Sequence, residues 1–442
     1  MARVAVIGAG WAGLSAALDL QAQGHALSLF ELAAQAGGRA RSLADEGSGP
    51  PLDNGQHILI GAYTETLDLM RSLDLAPEDL LWRSPLQLTD PQGRGLRLPK
   101  GPPLLAFGRA VLAASHWPWA ARLSLLTHSL RWALAGFQCA ETLSVSALCR
   151  GLHRQPLAEL VAPLCVAALN TPAEQASAQV FLRVLKDALF SGRGSADLLL
   201  PRRPLAELLP QPALRALAAG GARIHLGCRA WPSAPEGMSD SGWIVRTGDS
   251  AQAFDAVLLA CPAAEAARQL QDIAPQWSAQ AAALRYEPIV TVYLRAEGRL
   301  PFPMVALQES PEAPAQYLFD HGQLGLQAGR FAAVVSGAAP WLQRGQGGTA
   351  VCAQAALAQV MSQAPQLSGL VLERTVAEKR ATFACTPGLH RPAAHIAPGL
   401  WAAGDYIEGP YPATLEGAVR SGRQAARALQ AELCAVAPRA TH

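Results

Sequence analysis

The sequence predicts an α/β fold, and three features carry that expectation. A short apolar run, Val4–Ile7, reads as a buried strand and leads through glycines into a helical pattern from Trp11 to Gln23. His25–Glu31 reads as a second strand, so the chain opens with a βαβ unit. Strand-like runs return at Trp243–Val245, Ala256–Ala260, Pro288–Leu294, Phe331–Ser336 and Leu400–Ala403, before a closing helix over Leu415–Leu433. At 442 residues the chain exceeds one ordinary domain of about 150 residues.

Between these landmarks the reading is coarser. After Glu31 comes a loop holding Gly37-Gly38-Arg39 and a turn-rich stretch from Gly47 to Pro51. Residues 53–81 read as helical, and helical patterns continue to about residue 200. Pro201–Pro212 is a proline-rich crossing, and Leu214–Ile224 reads as a short helix, a Gly-Gly turn and a strand.

Composition excludes several classes. Half of the residues are hydrophobic and 16% are charged, which excludes a disordered chain. A net charge of +2 gives no basic excess for nucleic acid. Eight scattered cysteines form no Cys-x-x-Cys pair, so neither a metal site nor a disulfide framework is expected, and reduced thiols in the cytoplasm fit better. Met1-Ala2-Arg3 runs straight into the first strand without the pattern of an export signal. No uncharged apolar run reaches the ~18 residues of a spanning helix.

Chemistry enters at Gly8-Ala9-Gly10-Trp11-Ala12-Gly13, between the first strand and its helix. Gly8 permits the tight turn, Gly10 lets backbone approach a pyrophosphate, and Gly13 allows close packing of helix on strand. Helix N–H groups, with Trp11 and Ala12 in the first turn, attract the phosphates. Glu31, eighteen residues after Gly13, can accept from both ribose hydroxyls. That is a Rossmann-like dinucleotide site.

Ala36-Gly37-Gly38-Arg39 resembles the segment that follows the ribose acid in the amine oxidase and carotenoid desaturase superfamily of flavoproteins. Gly404-Asp405-Tyr406 and Ala413-Thr414-Leu415-Glu416-Gly417 resemble that superfamily's second flavin signature. The resemblance implies FAD in a glutathione-reductase-type domain. It places Gly38 and Arg39 at the diphosphate, Gly404 and Asp405 at the ribityl chain, and the backbone of Thr414 and Leu415 at the pyrimidine edge of the ring. Gly220–Ala230 resembles the strand whose backbone clips the adenine, with the contact at Ala230.

Asp53-Asn54-Gly55-Gln56-His57, continuing to Tyr63, is similar to carotene desaturases and closer to bacterial hydroxysqualene dehydroxylases of squalene and hopanoid biosynthesis. Residues 181–190 and 197–205 are again similar to the dehydroxylases. The resemblance implies a C30 isoprenoid alcohol as substrate, with Gly55, Gln56 and His57 beside the flavin. Amine oxidases usually carry a Lys near the flavin, but Tyr286–Leu294 has none; the three lysines are Lys100, Lys186 and Lys379.

Exchanging an allylic hydroxyl for hydrogen is a two-electron reduction, with hydride from reduced FAD trapping an allylic cation in a dry cavity. A proton donor must assist the leaving hydroxyl. His57, Tyr286, Glu287 and Asp187 are the candidates, with a flavin contact open for His57 and an ion pair to Arg183 or Lys186 open for Asp187. Two other readings stand beside this one: a carotene desaturase, and a flavin-binding scaffold without turnover. No second nucleotide fingerprint identifies the electron donor.

Residues 91–140 contain no Asp or Glu. Within them, 102–135 combine leucines and tryptophans with Arg109, Arg122 and Arg131. Interfacial helices have that character, which points to peripheral attachment at the inner face of the cell membrane; the same helices could instead only wall a tunnel. The organisation expected is a discontinuous FAD domain of residues 1–88, 205–275 and 385–442. A mixed α+β substrate domain would take residues 89–204 and 276–384.

Overall fold

The computed structural model describes residues 1–43, 51–234, 242–248, 250–345 and 347–436. Its central strand is Arg3–Ile7, where Val4, Ala5 and Val6 are wholly buried. An apolar strand covered on both faces suits a parallel sheet. It pairs in parallel with Ala26–Glu31 on one side and Ala256–Leu259 on the other. Arg223–Leu226 and Leu400–Ala402 extend the two sides in parallel, and His395–Ala397 closes one edge antiparallel. The strand order therefore reverses at Arg3–Ile7. A crevice opens at its carboxyl end, the position where doubly wound sheets bind ligands.

The helices Trp11–Ala22 and Leu415–Val436 pack together beside this sheet. Gly422 permits the close approach, because a Cβ there would stand 2.2 Å from the Ala12 carbonyl oxygen. Ser15 Oγ donates to the Ala12 carbonyl at 2.9 Å and reaches that of Val419 at 3.3 Å.

A second, five-stranded antiparallel sheet is ordered Met304–Ala306, Tyr317–Asp320, Arg330–Val335, Tyr286–Glu297, Ser368–Phe383. Period-two alternation divides its faces. Leu318, Ala333 and Val292 pack with Cys352, Ala356 and Val360 of the helix Gly348–Gln363, whereas Tyr317, Phe319 and Val334 face the interior cavity. Helices Pro103–Ala113, Trp119–Leu134, Ala162–Leu169 and Ala178–Phe190 cover the other side of that cavity.

The observed class is the expected one, with local corrections. Residues 53–81 are not continuously helical: Leu59–Ile60 is a strand pairing with Leu198–Leu199, and only Thr64–Ser72 and Pro77–Leu80 are helices. Gln87–Thr89 and Gly95–Arg97 form a hairpin, and Leu198–Pro201 is a buried strand. Short apolar runs do not distinguish strand from helix by period, and here strand pairing decided. Apart from Pro51, the turn expected at 47–51 lies outside the described residues.

Candidate active site

Gly8 leaves the central strand at φ +111°, and a Cβ there would meet the Ala260 carbonyl oxygen at 2.5 Å. At Gly13 a Cβ would lie 1.9 Å from the Gly8 carbonyl oxygen. Both glycines are demanded by the protein's own backbone. Gly10 differs: the nearest atom to a Cβ would be Gly38 Cα, at 3.9 Å, and Gly10 borders the cavity. The helix behind it has no side-chain cap and no acid in its first turn, leaving its N–H groups and dipole for an anion.

The cavity has a volume of about 980 Å³. Its wall includes Gly8, Gly10, Trp11, Ala12, Glu31, Gly38, Arg39, Gly55, Gln56, His57, Ala230, Gly404, Asp405, Thr414 and Leu415. Tyr286 and Asp187 border it as well. Two sequence candidates do not. Gly13 is spent on helix packing, and Glu287, next to Tyr286 on a strand, takes the alternate side.

Glu31 is held by backbone: Ala9 N–H donates to one carboxylate oxygen at 2.7 Å and Ala33 N–H to the other at 2.8 Å. At the same end, Gln269 Nε2 donates to the Ala230 carbonyl at 3.3 Å. Arg39 donates to Asp405 at 2.5 Å and to the Ala381 carbonyl at 2.7 Å. The sequence assigned Arg39 and Asp405 to different parts of the cofactor, whereas here they touch each other. Thr414 Oγ1 accepts from the Gly417 N–H at 3.0 Å, so this hydroxyl caps the last helix where it meets the cavity.

A match to the family profile described as flavin containing amine oxidoreductase covers residues 11–324. The chain belongs to that family. It is an FAD-dependent oxidoreductase, and the cradle just described fits the cofactor: free helix N–H groups for a diphosphate, an oriented carboxylate for a ribose, and a glycine with open space in front of it.

The oxidoreductase is 29% identical to a hydroxysqualene dehydroxylase of Rhodopseudomonas palustris, covering 96% of this chain and 97% of that protein. It is 26% identical to a probable zeta-carotene desaturase of Synechococcus elongatus, covering 97% and 98%. Among solved structures, cyclohexylamine oxidase of Brevibacterium oxydans superposes with a TM-score of 0.66 at 17% identity, over 98% of this chain and 99% of that one. This last likeness speaks for the fold.

The proton inventory of the oxidoreductase is specific. His57 Nδ1 lies 2.9 Å from the Gly55 carbonyl, which can only accept, so Nδ1 carries the hydrogen and Nε2 is an acceptor. Burial lowers the pKa of His57, and the charge of Arg39 adds to this against the Gly55 hydrogen bond. The ring is therefore neutral. Asp187 is engaged by Arg183 Nε, 3.1 Å from both oxygens, and Arg183 also donates to the Tyr411 hydroxyl at 3.0 Å. The other carboxylates on the wall are likewise committed: Glu378 to Asn54, Glu265 to Arg268, and Glu416 to Thr66 and Arg420. Tyr286 keeps its proton, its pKa pushed up to about 12 by burial and by the charge of Asp405, against Arg39.

Sequence reasoning missed Asn170, Glu378 and Tyr317 on this wall. Asn170 adopts φ +48° at a helix end, donates to the Glu287 carbonyl and Thr382 Oγ1, and accepts from the Gly337 N–H. Left-handed asparagine at a helix C-cap is a recognisable preference. It marks a turn, however, and not a cavity.

Asp53 begins the Gly55–His57 segment, and its carboxyl is pushed up to about 6 by burial, against hydrogen bonds from Ser42 and the Leu205 N–H. A pKa above the unfolded value means stability present below pH ~4 and lost as pH rises through about 6. Asp53→Asn keeps an acceptor oxygen for both partners. Its Tm should exceed that of the native chain by more at pH 7.5 than at pH 5, and thermal melts at both values check this.

Proposed function

We propose that the oxidoreductase reductively removes the hydroxyl of hydroxysqualene to give squalene: R–OH + 2e⁻ + 2H⁺ → R–H + H₂O. The observation that carries this reading is one continuous cavity. It runs from the FAD residues into an apolar chamber formed by Leu88, Leu126, Leu164, Met304 and Phe319, and reaches the surface at Leu104 and Leu130. A triterpene alcohol carries a single polar handle on a long hydrocarbon chain, so a greasy wall is what must bind it.

Bound FAD, once reduced, supplies the hydride. The chain's own residues supply the rest. Tyr286, on the wall beside Arg39 and Asp405, donates its O–H to the departing hydroxyl, since the neighbouring carboxylates are committed and His57 offers only a lone pair. The apolar wall keeps water from capturing a developing cation. Anaerobic, photoreduced enzyme should be reoxidised by hydroxysqualene with release of squalene, and not by phytoene. The second reading, a carotene desaturase, is favoured by the full-length similarity to the Synechococcus protein. Anaerobic bleaching of the oxidised flavin by phytoene, with no reoxidation of the reduced flavin by hydroxysqualene, would establish it.

The substrate reaches the cavity from a membrane. No helix among the described residues is long and apolar enough to span one. Yet Leu104, Leu105 and Leu112 on one helix, and Trp119, Leu123, Leu130 and Leu134 on the next, are 46–79% exposed. Arg122 braces them, donating to the carbonyls of Trp117 and Leu112 and stacking on Trp119 at 4.6 Å. Such a face suits the headgroup layer of an anionic leaflet at the cytoplasmic side. Leu105→Glu with Leu134→Glu should cut co-sedimentation with anionic vesicles at least about tenfold, from the loss of two leucines that would insert into the lipid. Both side chains are exposed, so the melting temperature should stay unchanged.

A further inference from the structure

Gln56 belongs to the segment at the cavity, but its side chain is gripped from elsewhere in the chain. Its amide oxygen lies 2.9 Å from Nε2 of His321, at the end of the strand Tyr317–Asp320 of the antiparallel sheet. His321 is 6% exposed and is fixed at both backbone groups: its N–H donates to the Arg330 carbonyl, and its carbonyl accepts from the Leu326 N–H. The ring packs edge-on against Tyr293, with centroids 5.9 Å apart. Tyr293 in turn donates its hydroxyl to the Asp53 carbonyl at 2.9 Å, anchoring the backbone of the same segment.

Anchoring is therefore already provided by Tyr293, and the His321 contact acts on the amide of Gln56 alone. Burial, with Arg330 nearby, pushes the imidazole pKa down to about 4 against the pull of Glu373. A neutral ring has one N–H. Facing an amide oxygen, that N–H belongs on Nε2. The Gln56 Nε2 group has no partner among the described residues, and Gln56 borders the cavity.

We propose that His321 is a positioning residue: it holds the Gln56 amide oxygen so that the NH₂ group is presented to the ring of bound FAD. An oriented donor there stabilises the electron-rich reduced ring over the oxidised one. The inference needs only the bound flavin, not the identity of the substrate.

The test is the two-electron reduction potential of the purified holoenzyme, read against a reference dye with no isoprenoid present. Gln56→Leu and His321→Leu should each shift the equilibrium between oxidised and reduced flavin about tenfold toward the oxidised form, about 30 mV. The double variant should shift it no further. His321→Gln, whose side-chain N–H can take the place of the imidazole Nε2–H, should stay within about threefold of the native protein. Gln56→Leu removes the NH₂ group without adding a charge, so it tests the idea even where His321→Leu does not fold. A native potential in Gln56→Leu or His321→Leu, or shifts that multiply in the double variant, would overturn the assignment. A failure of hydroxysqualene to reoxidise the flavin would leave these outcomes untouched.

Discussion

Gly10→Ala should yield a folded protein that holds FAD ten- to a hundredfold more weakly. The reasoning separates three glycines of one motif. At Gly8 and Gly13 an added methyl would strike backbone oxygens at 2.5 and 1.9 Å, so alanine there damages the βαβ unit itself. At Gly10 a methyl meets no protein atom closer than 3.9 Å. Its cost to folding is that of alanine at a helix N-cap, about 1 kcal/mol. The methyl does intrude on the cavity, where the diphosphate of bound FAD would lie against the helix N-terminus. Overpacking of about 1–3 kcal/mol corresponds to the stated loss of affinity. Flavin fluorescence titration, beside a thermal melt, reads both effects. Native affinity in Gly10→Ala would place the diphosphate elsewhere.

That motif was legible because it is local. Strand, glycines and helix follow one another within twenty residues, and each has its own period and steric reason. The second sheet was harder. Ser368–Phe383 is sixteen residues long but lies at a sheet edge, partly exposed along most of its length. Its Glu, Arg and Lys side chains blur the alternation that marks a half-buried strand. The site shows the same limit more sharply. Glu378 reaches Asn54 across 324 positions, and His321 reaches Gln56 across 265. Neither partner carries a local signal, since only sheet register brings them to the segment.

The Arg39–Asp405 pair adds a physical point about how the two ends of the chain act together. The partners are 366 positions apart, and Asp405 is 8% exposed. A buried carboxylate without its cation is costly, so the pair fixes the separation of the two flavin-binding ends as well as their charge. It also removes Asp405 from the list of groups able to give a proton. The same reasoning applies around the wall, and it turns the acid chemistry from the carboxylates to the tyrosines, which stay protonated at every working pH.

In the proposed reaction the donor is Tyr286, and Tyr286→Phe should slow the dehydroxylation step by a factor of about 10² to 10⁴, the range ascribed to a positioned acid. The hydroxyl sits on the cavity wall near Arg39 and Asp405. Its raised pKa makes it a weak acid, yet hydroxide is a far stronger base, so proton transfer becomes favourable as the C–O bond opens. Removing one oxygen atom leaves the ring in place, so FAD content, photoreduction and melting temperature should all be preserved. The measurement is single-turnover reoxidation of anaerobically reduced enzyme by hydroxysqualene. Its rate should be flat from pH 6 to 9 in the native protein, because the donor does not titrate there and burial favours the neutral form of His57. A rate falling through pH 6 to 7 would instead assign the proton to a histidine, and an undiminished rate in Tyr286→Phe would remove the tyrosine from the reaction.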